Sequence, residues 1–180
     1  MIDWDKYRSP LELARQLWHI PNMTELTCLP PSRFQTLFDR VYQSTDDEEA
    51  LWRLGGATND YLRANPGSFC VPAELPRRLL ASQNVDARVV GLKLLNRCSA
   101  SDEEVVAAIT NALRRRDDYE SNGGMVELSN FLDRRIPMEA KLEQSMAETL
   151  LCALEPLVED GDNRHFGAPQ VMARIKDLLI

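Results

Sequence analysis

The sequence predicts an all-α protein, a short right-handed solenoid of antiparallel helix pairs, with a compact orthogonal helical bundle as the alternative. Three observations predict it. Apolar residues recur at i, i+3, i+4 and i+7 along nearly the whole of the 180 residues. No run alternates Val, Ile, Thr or aromatic residues with polar ones between Asn-Gly or Asp-Gly turns, so no strand is expected. The apolar spacing also repeats. Leu94-Leu95 and Phe131-Leu132 lie 37 residues apart, and Leu75 and Leu79 lie 34 before Ile109 and Leu113. One helix pair cannot bury its own apolar face, and stacking on the next pair completes the core. The three-residue difference is expected to be a longer loop at 117–122.

Each element has its own signal. Ser9-Pro10-Leu11-Glu12 is a capping box with proline at the first helical position, predicting a helix from Pro10 to Ile20 that stops before Pro21. Ser32 is expected to cap a second helix, with Phe34, Leu37, Phe38 and Val41 on one face. Asp46-Asp47-Glu48-Glu49 opens a third, because acids suit the positive end of the helix dipole. Its apolar stripe is Leu51, Trp52, Leu54, Tyr61 and Leu62, Gly55-Gly56 is expected to bend or split it, and Asn65-Pro66-Gly67 ends it.

A short helix is then expected from Pro76, with Leu75, Leu79 and Leu80 inward, a turn at Ser82-Gln83-Asn84, and a helix from Asp86 to about Cys98. Ser101-Asp102-Glu103-Glu104 is a second capping box, starting a helix that carries Val105, Ile109, Ala112 and Leu113 and closes in Arg114-Arg115-Arg116. Residues 117–124 read as a turn before a helix bearing Met125, Leu128, Phe131 and Leu132. Pro137 opens what should be the longest helix, with Met138, Leu142, Met146, Leu150, Leu154 and Leu157 in line and Pro156 kinking or ending it. A polar loop through Gly161-Asp162-Asn163 leads to a last helix opened by Pro169, carrying Val171, Ile175, Leu178 and Leu179. All of this is expected to form one domain, 1–180: divergent N-terminal helices over 1–66, repeat-like pairs over 72–136 and capping helices over 137–180.

Composition narrows the classes. With 28 acidic against 21 basic residues the net charge is −7, which argues against a surface built to neutralise phosphate or anionic lipid. Residues 71–136 balance at ten of each sign, so Arg77-Arg78, Arg114 to Arg116 and Arg134-Arg135 make no clear positive groove, and no nucleic-acid partner is expected. Cys28, Cys70, Cys98 and Cys152 are far apart without a C-x-x-C pair, and read as small buried hydrophobes in a reducing compartment. The acidic start Met1-Ile2-Asp3-Trp4-Asp5 predicts no signal peptide and no run predicts a membrane span, so a cytoplasmic protein is expected.

Catalytic and metal-binding signatures are sparse. His19 reads as a helix-end histidine favouring the dipole, and His165 as a loop residue with no nucleophile beside it. No H-E-x-x-H, G-x-S-x-G, phosphate-binding loop or EF-hand spacing occurs, so no enzyme, cofactor or metal is expected. The acids at 46–49, 102–104 and 117–118 fall where helices begin or turns form. Trp4, Trp18 and Trp52 read first as core or cap, although Trp4 in its acidic tail could be exposed and anchor a partner.

The stretch from Leu75 to Leu95 resembles one HEAT repeat: a leucine-rich first helix, a polar turn, Val85 and Arg88 just inside the second helix, and small Gly91 before the leucine pair. The resemblance implies structural roles for Asp86 and Arg88 in linking adjacent repeats. It covers about a quarter of the chain; the next unit has Gly123-Gly124 where the arginine is expected. The function expected is a non-catalytic protein-binding module with a basic protein partner, in its sharpest form a bacterial immunity protein that neutralises a toxin enzyme. The partner-binding residues expected are Asp46, Asp47, Glu48, Glu49, Asp117, Asp118, Glu120 and Trp4. Two alternatives stand beside it. One is a HEAT-like enzyme or enzyme-assisting subunit of glycosylase or lyase type, in which Asp118 or Asp162 meets an aromatic and His165; the other is an adaptor in a larger assembly.

Overall fold

In the computed structural model, residues 2–115, 117–136, 140–159 and 167–179 are described. They are all-α, with ten α-helices and two short 3-10 segments, Trp4–Lys6 and Ile20–Asn22, and no strand among them. The chain forms two compact units, Met1–Cys98 and Ser99–Ile180. Arg116, Pro137, Met138, Gly161, Asp162, Asn163 and His165, for which the sequence raised expectations, lie outside the described residues.

In the first unit, α1 (Pro10–Leu17) is capped by Ser9, whose hydroxyl accepts from the Glu12 N–H at 3.4 Å. It ends three residues earlier than Pro21 alone predicts. Trp18 leaves helical geometry with its ring seated on Gly56, and His19 is extended, capping the 3-10 turn at Ile20 instead of ending α1. A short α2 (Met23–Thr27) follows, unforeseen in the sequence. Next, α3 (Pro31–Tyr42) starts at the second of two prolines, so Ser32 lies in its first turn and is not its cap. Proline at the first helical position needs no N–H, and the Pro30 carbonyl takes the Arg33 and Phe34 N–H groups.

The centre of this unit is α4 (Glu48–Ala64), which runs unbroken through Gly55-Gly56. A Cβ on Gly55 would lie 2.7 Å from Val90 Cγ1, and one on Gly56 2.4 Å from the Trp18 ring. The pair therefore serves close approach of neighbouring groups, not a bend. Phe34 stacks on Tyr61 at 3.9 Å between ring centroids, and the Tyr61 hydroxyl donates to the Leu29 carbonyl at 3.0 Å. Burying two aromatics with the polar handle paired is a strongly stabilising arrangement. Gly67, at φ +72°, supplies the left-handed turn that α4 needs after Pro66. The unit closes with α5 (Glu74–Leu80) and α6 (Val85–Leu95), the latter capped by the Asn84 side chain.

The second unit opens with α7 (Asp102–Leu113), capped by Ser101 as the sequence predicts. It continues with α8 (Asp118–Arg134), α9 (Gln144–Glu159) and α10 (Ala168–Leu179). Two expectations fail here. Residues 118–124 are helix, because Asp117 caps α8 by accepting the Glu120 N–H at 2.9 Å. Helix α9 continues past Pro156 and is one residue shorter than α4 and α8.

Gly124 does in α8 what Gly91 does in α6. A Cβ on Gly91 would meet the Leu80 backbone nitrogen at 2.9 Å, and one on Gly124 would meet that of Leu113 at 3.2 Å. Asn84 to Asp117 and Gly91 to Gly124 are both steps of 33 residues, and each second helix begins five residues after the first ends. The longer loop expected at 117–122 does not exist.

Of the cysteines only Cys98 is buried; Cys28, Cys70 and Cys152 are exposed, and no disulfide joins the four. The expectation of four buried small hydrophobes is thus corrected, since three lie at helix ends, in a loop or on the outer side of α9.

Candidate protein-docking surfaces

The acid run before α4 is taken up by its own unit. Asp47 caps the helix, accepting the Ala50 N–H at 2.8 Å. Asp46 pairs with Arg78 at 3.0 Å, and Glu48 accepts the Ser82 hydroxyl. Glu49 receives Arg15 at 2.8 Å and Arg53 at 2.8 Å. Those two hydrogen bonds, Arg15 first, pull its carboxyl from 4.5 to about 2, and the same contact raises the Arg15 guanidinium. Four acids in a row thus tie α1, α4, α5 and the α5–α6 turn together.

The second expected acid group divides. Asp117 is the α8 cap and Asp118 is exposed in the first turn. Glu120 is buried, its side chain 5% exposed, against Arg115 at 2.9 Å, so it is withdrawn from any docking face. Glu127, also buried on α8, accepts the Asn130 amide at 2.9 Å.

Trp4 is likewise buried, at 3% exposure, which removes it as an exposed anchor and leaves the packing role. Its segment is held by Asp5, which bridges Arg33 at 2.6 Å and Arg40 at 2.9 Å, and by Arg40 donating to the Tyr7 carbonyl at 2.8 Å.

The basic clusters are largely structural too. Arg77 pairs with Glu74, Arg78 with Asp46, and Arg135 reaches back to the Ala100 carbonyl at 2.7 Å and Asp102 at 3.0 Å. Arg88 donates to the Ser82 and Gln83 carbonyls at 3.0 and 2.8 Å, closing its own turn, and Asp86 is exposed.

Several exposed acids, Glu12 and Asp177 among them, have no cation partner among the described residues, and a group of three lies along the outer side of α9. Ser145, Glu148, Thr149, Cys152 and Glu155 are exposed along it, with Glu143 just before its start. Glu148 accepts from Gln144 at 2.8 Å and Glu143 from Ser145 at 2.7 Å, both neutral donors. No Lys or Arg among the described residues pairs with Glu143, Glu148 or Glu155. The spacing of Glu148 and Glu155, i and i+7 across the exposed Cys152, follows from the inward row Ala147, Leu150, Ala153 and Leu154, all buried. The sequence carried this signal as the polar complement of the apolar stripe, hidden behind denser acid runs elsewhere.

Among the described residues no group of three or more His, Cys, Asp or Glu is placed to hold a metal ion, and no helix is long and apolar enough to cross a membrane. No protein-family model, no curated protein and no solved structure matches the chain.

Proposed function

We propose that the chain is a non-catalytic, protein-binding helical-repeat module whose docking face is the outer side of α9 and whose partner is a basic protein. Its sharpest form is a small inhibitor that neutralises a basic enzyme, as a bacterial immunity protein does. The observation that carries the reading is that Glu143, Glu148 and Glu155 face outward with no cation from the described residues. Such acids keep their field for an incoming partner, steering encounter and fixing register. The HEAT-like scaffold is supported by the matched placement of Gly91 and Gly124 against the ends of α5 and α7, since a repeated pair needs its close approach at the same register.

Affinity capture with the purified chain at low salt tests this. One basic protein is expected, released as salt rises and recovered poorly by the double variant Glu148→Lys, Glu155→Lys, while Glu12→Lys on exposed α1 behaves as wild type. Capture of an acidic protein, or of a basic one indifferent to the α9 reversal, contradicts the proposal.

A further inference from the structure

We draw no further inference here: the strongest candidate, the pocket of about 440 Å³ that Ile2, Trp4, Glu25, Leu29 and Arg33 line beside the first 3-10 turn, carries nothing, because the unpartnered Trp4 indole nitrogen is itself buried, Asp5 and Glu25 are already engaged by Arg33 and the Ile2 N–H, and nothing in the structure shows what would occupy it.

Discussion

The acids that begin α4 and the acids along α9 differ in what lies within reach of them. Asp46, Asp47, Glu48 and Glu49 sit at a helix start, where free N–H groups, a neighbouring turn and three arginines all find an acceptor. Glu148 and Glu155 sit mid-helix, where every backbone N–H is already bonded, and only neutral Gln144 touches the first of them. The dense acid run before α4 is thus a site where the fold consumes charge, while the sparse acids at helical spacing on α9 keep theirs uncompensated by the described residues.

The largest test of this contrast is Trp4→Ala, which should destabilise the chain by about 3–5 kcal/mol in denaturant titration, as loss of a buried aromatic does. Trp4→Phe should cost much less, since the buried Trp4 indole nitrogen has no hydrogen-bond partner to lose. Were Trp4 a docking residue, both would change affinity and leave stability alone.

The matched glycines come next. Gly91→Ala drives a methyl against backbone at 2.9 and 3.0 Å and should cost about 1–3 kcal/mol despite the gain in helix propensity. Gly124→Ala meets its nearest neighbours at 3.1 to 3.2 Å, so a smaller strain set against a propensity gain of about 1 kcal/mol should leave stability nearly unchanged. Equal costs at the two positions would show that α5–α6 and α7–α8 are packed alike in tightness as well as in register.

A smaller effect separates bound from free acids by pH. The folded Glu49 carboxyl titrates near 2, below its ordinary 4.5, so its stabilising contribution is complete above about pH 4.5 and disappears as pH falls through 2. Glu49→Gln should lower the melting temperature at pH 7, and the gap from wild type should close between those pH values. Glu155→Gln should shift it little at either pH.

Much of the architecture was legible in the sequence because caps and stripes are local. Ser9, Asp47, Ser101 and the Phe34, Leu37, Phe38, Val41 face all stand where spacing puts them. What was illegible depends on tertiary neighbours. Glycines expected to bend a helix at 55–56, or to lie in a turn at 124, are seats for other groups, and nothing local distinguishes the two uses. The expected partner-binding acids were harder still: Glu120 looks like any first-turn acid until Arg115 and burial claim it. Trp18 and Trp52 meet edge to face only when Gly56 brings α1 against α4.

The most direct measurement is the association rate of the captured basic partner with two charge-reversal variants, both confirmed to fold. The account predicts that Glu148→Lys with Glu155→Lys slows association about tenfold at low salt and flattens its salt dependence, while Asp46→Lys with Glu48→Lys leaves the rate close to wild type. Equal slowing by the two pairs, or slowing by the α4 pair alone, would contradict it.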